Sequence, residues 1–260
     1  MTNSKVLSKL RTGELVRVVN ISRVTNPWLT EVAGKIGFDA IWLDLEHRDH
    51  PAGVVAPMAM ACRATGMDLI VRVRKTSYDS PMRVLEGGAQ GIMVPHCLTA
   101  AEAQQWVDWT KFPPLGKRGF DGAGADADCS LANPLEHLTH ANRETFLMLQ
   151  IEDREAVENV DAIAAVPGVD VLFIGPGDLT ISYGIPMQTS HELIINAMTQ
   201  VAAACKRHGK YWGMATSSPE MAQRAATAGA GLITCGSDHG FLVRGMRDAF
   251  GVYSKVTAQE

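Results

Sequence analysis

Short apolar runs rich in β-branched residues recur along the whole chain, and segments with helical periodicity separate them. Within each run the residues alternate between two faces, as they do in a β-strand. The pattern therefore predicts eight strands, at residues 15–20, 40–45, 69–74, 91–95, 146–152, 169–174, 211–216 and 231–235.

Helix boundary signals lie between the predicted strands. They comprise two capping-box spacings, one N-cap followed by proline, and two glycine stops. These signals are Thr99 with Glu102, Thr189 with Glu192, Ser218 before Pro219, and the glycines Gly209 and Gly229. Strand and helix alternate strictly, which favours a parallel sheet joined by right-handed crossovers.

Eight βα units in about 250 residues are typical of a TIM (β/α)8 barrel, and we expect a single α/β domain over residues 1–260. A doubly wound open sheet is the competing fold. The closed barrel is favoured because no G-x-G-x-x-G motif follows the first predicted strand and no low-complexity linker divides the chain. The longest irregular stretch, residues 112–133, is expected near the barrel mouth, since long loops in compact domains are usually functional.

Composition and charge exclude several classes of protein. The 260 residues are 46% hydrophobic and 20% charged, a balance that permits a large core and argues against disorder. A net charge of −4 gives no reason to expect nucleic acid or an anionic membrane as a partner. No apolar run reaches the roughly 18 residues that span a bilayer. The five scattered cysteines, without a C-x-x-C pair, indicate reduced thiols in a soluble, cytoplasmic protein.

Charged residues gather towards the carboxyl ends of three predicted strands, on the face opposite the apolar one. The second strand places Asp44 and Glu46 there, the third places Arg72 and Arg74, and the fifth places Glu152. In a TIM barrel the apolar face contacts the helices, and the open carboxyl-terminal end carries the active site. A site for an anionic substrate and a hard metal ion explains this convergence better than a network of ion pairs.

Glu152 and Asp178 are the candidate metal ligands, because two carboxylates can hold Mg²⁺ or Mn²⁺ and leave positions for water and substrate. The alternative is that Glu152 pairs with Arg72 and that Asp178 is the N-cap of a helical turn over 179–183. The G-P-G-D turn at 175–178 also exposes backbone N–H groups that suit a carboxylate. Both ends of a 2-oxo acid would then have partners.

His47 is the candidate general base, because it begins a polar loop and Asp44, three residues earlier, is placed to orient it. His96, after the fourth predicted strand, is a second candidate. Lys75, just past the third strand, is the candidate for a rival Schiff-base mechanism. A barrel that binds a 2-oxo acid without catalysis is the rival from another class.

Six segments follow one another in a distinctive order over nearly the whole chain. They are W-L-D-L-E-H at 42–47, V-R-V at 71–73, G-A-Q-G-I-M-V-P at 88–95, P-P-L-G-K-R-G at 113–119, Q-I-E at 150–152 and F-I-G-P-G-D-L at 173–179. In this combination the sequence resembles the HpcH/HpaI aldolase family. The resemblance implies a class II, metal-dependent, pyruvate-handling aldolase on a TIM barrel.

The resemblance also implies roles for individual residues. Glu152 and Asp178 would ligate the divalent metal, Mg²⁺ or Mn²⁺, with Co²⁺ as a further candidate. Arg72 would contact the keto or enolate oxygen of pyruvate, and His47 with Asp44 would form the acid/base dyad. The implied reaction is reversible cleavage of a 4-hydroxy-2-oxo acid to pyruvate and an aldehyde through a metal-stabilised enolate. Oxaloacetate decarboxylation through the same enolate is the alternative.

Further implications concern the substrate pocket and the assembly. Gln150 would line the pyruvate pocket, and the backbone of Gly177 and Asp178 would hold the carboxylate. The family's usual assembly is a hexamer, in which Glu86 would stand near a neighbouring subunit's site. Two departures from the family pattern, the 120–131 loop and His96, fall where the aldehyde half of the substrate would bind.

Overall fold

Eight parallel strands close into a barrel in the order β1 to β8, and β8 pairs with β1. The computed structural model describes residues 2–256. The strands are β1 (Val16–Asn20), β2 (Ala40–Asp44), β3 (Asp68–Arg72), β4 (Gly91–Val94), β5 (Phe146–Ile151), β6 (Val171–Ile174), β7 (Tyr211–Met214) and β8 (Leu232–Ser237). The predicted TIM barrel and all eight predicted strands are therefore confirmed, with strand ends shifted by up to two residues.

Helices precede β1 and follow every strand. They are α1 (Lys5–Thr12), α2 (Pro27–Ile36), α3 (Val55–Thr65), α4 (Asp79–Glu86), α5 (Ala100–Thr110), α6 (Pro134–Glu144), α7 (Arg154–Glu158), α8 (Val160–Ala164), α9 (Pro176–Ser182), α10 (Glu192–His208), α11 (Pro219–Thr227) and α12 (Asp238–Tyr253). Short 3₁₀ helices occupy Ala52–Val54 and Ala125–Ala127. Within residues 2–256, no helix has the length and apolarity needed to cross a membrane.

Most predicted helix boundaries are present. The Thr99 side chain accepts the N–H of Glu102 at the start of α5, and Gly209 ends α10 in a left-handed conformation. The predicted cap at Thr189 is wrong. His191 caps α10 instead, because its Nδ1 accepts the N–H of Leu193. The predicted domain limits of 1–260 stay a prediction, and residues 1 and 257–260 lie outside the described residues.

The two faces of the strands form two separate cores, as the alternation predicts. Side chains such as Ile41, Leu43 and Val71 pack outward against the helices. Side chains such as Trp42 and Phe173 point the other way and fill the barrel interior, where their rings meet edge to face at 5.7 Å. A packed interior leaves the open end as the place for chemistry.

The loop over residues 112–133 contacts the helix that follows β3, and its predicted place near the barrel mouth stays a prediction. It joins α5 to α6 and lies along the outer face of α4. The N–H of Gly119 donates to the Tyr78 hydroxyl, and Gly124 packs against the backbone of Glu86 so closely that a side chain there would press on it. The Tyr78 contact lies at the end of α4 nearer the barrel mouth, and the Glu86 contact lies at the opposite end.

Candidate active site

The carboxyl ends of β2 and β3 place a buried ion pair at the mouth of the barrel. Asp44 ends β2, Arg72 ends β3, and the two residues are partners in the strand register. Arg72 donates from Nε to Asp44 Oδ1 at 3.0 Å and from Nη2 to Oδ2 at 2.8 Å. Although burial favours the neutral acid, the Arg72 guanidinium holds the pKa of Asp44 below its ordinary value.

Arg72 has further partners that fix the remaining edge of its guanidinium. Its Nη1 lies 3.0 Å from Glu46 Oε2 and forms an ion pair with it, although the two groups are not aligned as a hydrogen bond. The same Nη1 donates a hydrogen bond to Gln150 Oε1 at 3.4 Å. The guanidinium carbon lies 5.1 Å from the centre of the Trp42 ring. These contacts hold the positive charge at one point of the mouth.

Glu152, one residue beyond β5, is the most deeply buried carboxylate of the mouth. Its Oε2 accepts from Gln150 Nε2 at 2.9 Å, and a side chain at Gly175 would collide with it. Burial raises the pKa of Glu152 to about 7, against the opposing effects of His96 and Arg72. Because burial disfavours its ionised form, this carboxylate favours a bound cation.

His96 follows β4 and turns its ring towards Glu152. Its backbone has a positive φ of 48°, rare outside glycine, and its N–H donates to Glu152 Oε1 at 3.0 Å. Ring atom Nδ1 lies 2.8 Å from Asp153 Oδ2, and Nε2 lies 3.7 Å from Glu152 Oε1. With Nδ1 assigned as the donor to Asp153, Nε2 is free to bind a metal, which is the usual arrangement of a metal-binding histidine. Although burial opposes it, the Asp153 and Glu152 carboxylates raise the pKa of His96.

Asp178 completes a cluster of donors with His96 and Glu152. One ligand atom from each of the three lies within 4.8 Å of the others. Asp178 stands in the first turn of α9, whose N-cap position is Gly175, so its alternative assignment as an N-cap is wrong. The other alternative also fails, because within the described part of the chain Arg72 pairs with Asp44 and Glu46, and no ion pair within 4.0 Å joins it to Glu152.

The expected pairing of Asp44 with the His47 ring differs from the observed contact. Asp44 Oδ1 accepts the backbone N–H of His47 at 3.3 Å and that of Glu46 at 3.0 Å, while both of its oxygens bind Arg72. The His47 ring is 54% exposed and lies 3.7 Å from Glu46 Oε2. Asp44 therefore shapes the turn that carries His47 and does not hold the ring.

Two basic residues that the sequence placed near the mouth are engaged elsewhere. Arg74 lies beyond β3 and donates to the carbonyls of Leu45 and Arg48. Lys75 donates to the His96 carbonyl at 2.8 Å and pairs with Glu102 at 2.5 Å. A paired ammonium is a poor nucleophile, which weighs against the Schiff-base alternative.

Sequence reasoning missed two acidic partners. The sequence pattern predicts only that Glu46 faces inward, yet Glu46 approaches Arg72, and it predicts no role for Asp153, which orients His96. The sequence does carry one signal for Asp153, which is its position next to Glu152 just after β5. Of these two adjacent acids, Glu152 faces the mouth and Asp153 reaches His96 in the neighbouring loop.

A barrel mouth with two converging carboxylates, an oriented histidine and a buried arginine is typical of enzymes that bind a divalent metal and a small anionic substrate. The model of the HpcH/HpaI aldolase/citrate lyase family matches residues 18–244, and the chain belongs to this family.

Named relatives share most of the chain. The 4-hydroxy-4-methyl-2-oxoglutarate aldolase of Hapsidospora irregularis is 33% identical, over 96% of this chain and 94% of its own. The 5-keto-4-deoxy-D-glucarate aldolase of Klebsiella pneumoniae is 33% identical, over 84% of each. The crystal structure of an HpcH/HpaI aldolase from Desulfitobacterium hafniense superposes with a TM-score of 0.92 at 28% identity, covering 98% of both chains. The protein is accordingly a carbon–carbon lyase of the class II aldolase type.

Proposed function

We propose that this enzyme catalyses the reversible cleavage of a 4-hydroxy-2-oxo acid to pyruvate and an aldehyde. The observation that carries the proposal is the juxtaposition of a buried, fixed arginine with a cluster of divalent-metal donors. Cleavage of the bond between C3 and C4 leaves negative charge on the pyruvate half. A site that places positive charge beside the 2-oxo group stabilises that charge as it develops.

The donor set fits a divalent metal. Glu152, Asp178 and Nε2 of His96 converge, and burial disfavours the ionised form of Glu152 unless a cation binds beside it. When bound, the metal supplies Lewis-acid polarisation of the 2-oxo group. Among Mg²⁺, Mn²⁺ and Co²⁺, an imidazole donor favours Mn²⁺ and Co²⁺, because Mg²⁺ prefers oxygen ligands.

The pyruvate half has partners on two sides of the metal cluster. Arg72 faces the keto oxygen, and Gln150, which touches both Arg72 and Glu152, lines the pocket between them. The pyruvate carboxylate binds at the first turn of α9. There the N–H groups of Gly177 and Asp178 have no carbonyl four residues earlier within the helix, so they can donate to an anion. Gly177 is open above its backbone, so an anion can approach.

His47 acts as the general base that takes the proton from the 4-hydroxyl group in cleavage. Its exposed ring, at the edge of the mouth, is accessible to a water or to the substrate hydroxyl. Asp44 is a positioning residue, because it fixes Arg72 by two hydrogen bonds and fixes the His47 turn through backbone N–H groups. Glu46, 3.7 Å from the ring, is the acidic neighbour within this chain.

The enzyme is proposed to act as a homo-oligomer in the cytoplasm. Helix α12 leaves large apolar side chains exposed, among them Met246, Phe250 and Tyr253, with Phe250 75% exposed. An apolar helix face of this kind is typical of an interface between subunits. The hexamer that the family resemblance implies would bring Glu86 of one subunit near the site of another.

A coupled assay tests the proposed reaction. Pyruvate released from 4-hydroxy-2-oxo acids is measured with lactate dehydrogenase, before and after exhaustive chelation. We expect chelation to abolish release and Mn²⁺ or Mg²⁺ to restore it. Undiminished release after chelation, or a borohydride-trapped pyruvate adduct on Lys75, would contradict the class II mechanism and favour a Schiff base.

A further inference from the structure

The loop that follows β3 contains two adjacent basic residues, Arg74 and Lys75, whose side chains reach in opposite directions. Strand β3 pairs with β2 on one side and with β4 on the other, so its loop lies between the loops that follow those two strands. Arg74 contacts the loop after β2, which carries His47. Lys75 contacts the loop after β4, which carries His96.

Arg74 holds the turn that carries His47. Its Nε donates to the carbonyl of Leu45 at 2.8 Å, and its Nη2 donates to the carbonyl of Arg48 at 3.0 Å. These two carbonyls flank His47 in the sequence, and neither residue belongs to a helix or a strand. Their carbonyls therefore depend on side-chain donors. The planar guanidinium carries its donors in a fixed geometry, so it also fixes the separation of the two carbonyls.

Lys75 holds the loop that carries His96. Its Nζ donates to the His96 carbonyl at 2.8 Å and pairs with Glu102 Oε1 at 2.5 Å. Glu102 lies in the first turn of α5, and its Oε2 accepts the N–H of Leu98 at 3.0 Å. Because the His96 N–H donates to Glu152, both backbone polar groups of His96 are held. A backbone with a positive φ persists outside glycine only where its surroundings support it in this way.

On the basis of the proposed function, we infer that Arg74 and Lys75 are positioning residues for the two histidines of the mouth. Arg74 places His47 for proton transfer. Lys75 places His96 for metal binding. Each acts through backbone carbonyls and not by contact with the reacting atoms. The two adjacent residues should therefore affect two different steps, and substitutions should separate them.

The sign of the effect on metal affinity distinguishes positioning from charge. Both side chains carry a positive charge near a cluster proposed to bind a divalent cation. If charge alone mattered, removal of either one would reduce repulsion and strengthen cation binding. Removal of the Lys75 ammonium would also leave the Glu102 carboxylate without this partner and add to the attraction. Weaker Mn²⁺ binding in Lys75→Met would therefore report a loss of position.

The experiment measures two quantities in the same protein samples. They are the affinity for Mn²⁺, followed by electron paramagnetic resonance, and kcat for pyruvate release at saturating Mn²⁺ and substrate. The Mn²⁺ stoichiometry gives the concentration of folded sites, so loss of folded protein is not counted as loss of turnover. Arg83→Gln is the control, because Arg83 is exposed on α4 and pairs with Asp79 of the same helix.

We expect Arg74→Gln to lower kcat about 10- to 100-fold, because a misplacement of about 1 Å can cost that much, and to leave Mn²⁺ affinity nearly unchanged. Arg74→Lys, which keeps one charged donor group, should recover part of kcat. Lys75→Met should weaken Mn²⁺ binding about tenfold, as loss of a group behind a metal ligand typically does, and should lower kcat far less. Arg83→Gln should leave both quantities at their wild-type values. A wild-type kcat in Arg74→Gln overturns the inference, and so does equal or tighter Mn²⁺ binding in Lys75→Met.

Double variants separate the inference from the function on which it rests. A residue that acts through another has little effect once the other is gone. Arg74→Gln should therefore cost little further kcat in His47→Ala, and Lys75→Met should cost little further Mn²⁺ affinity in His96→Gln. Full additivity in either pair overturns the inference and leaves the proposed function standing. A wild-type kcat in His47→Ala together with wild-type Mn²⁺ affinity in His96→Gln overturns both.

Discussion

Removing the Arg72 side chain should separate its part in catalysis from its part in stability. Arg72 is buried and forms two hydrogen bonds with Asp44, whose side chain is only 2% exposed. Arg72→Ala therefore leaves an uncompensated buried carboxylate, which costs about 3–5 kcal/mol of folding free energy. It also removes a charged contact to the developing enolate oxygen, which costs about 3 kcal/mol in the barrier.

The second substitution, Asp44→Asn, distinguishes these two effects. In the Arg72→Ala background it removes the unpaired charge, so we expect about 2 kcal/mol or more of the lost stability to return. Turnover should not return, and both variants should remain roughly 100-fold or more below the wild type. The single variant Asp44→Asn keeps the arginine and shows how much activity depends on its positioning.

Urea unfolding followed by circular dichroism gives the stabilities, and pyruvate release at saturating substrate gives kcat. Recovery of turnover in the double variant to within about threefold of the wild type would refute the reasoning, because the arginine would then act only by neutralising Asp44. Wild-type turnover in Arg72→Ala would refute it too and would return attention to Arg74.

Three other outcomes follow from the site and the outer surface. His47→Ala should lower turnover roughly 100-fold or more, with Mn²⁺ and pyruvate affinities nearly unchanged, since a general base contributes about 10²–10⁴; loss of metal binding would make it a ligand or a structural residue. His96→Gln should weaken Mn²⁺ binding, followed by electron paramagnetic resonance, by about tenfold or more, and Mg²⁺ binding much less; equal losses would remove it from the ligand set. Phe250→Glu should dissociate the assembly in sedimentation velocity, and an unchanged particle size would place the interface elsewhere.

The strands and their two faces could be predicted because period-two alternation is a local property of the sequence. Leu43 faces the helices and Asp44 faces the mouth for the reason that neighbouring residues of a strand point to opposite sides. The order of strand and helix then favoured a closed parallel barrel, which brings Arg72 and Glu152 to one end.

The contacts within the site could not be predicted, because they depend on turn geometry and on choices among partners. At the end of β2, a carboxylate three residues before His47 meets its backbone N–H, as aspartate commonly does at a turn, and not its ring. His96 donates its N–H to Glu152 from a backbone with a positive φ, a conformation that is rare outside glycine and that its residue type does not predict. The spacing of capping residues at Thr189 was equally ambiguous, since His191 supplies a competing acceptor.

Exchange of pyruvate methyl protons in D₂O, followed by proton NMR, tests the central claim most directly, because it reports enolate formation without any acceptor. We predict exchange with Mn²⁺ or Mg²⁺ that stops on chelation and is lost in Glu152→Gln, a substitution that keeps the shape of a metal ligand and removes its charge. Exchange that persists after exhaustive chelation, or its absence in folded, metal-loaded enzyme, would contradict a metal-dependent pyruvate aldolase.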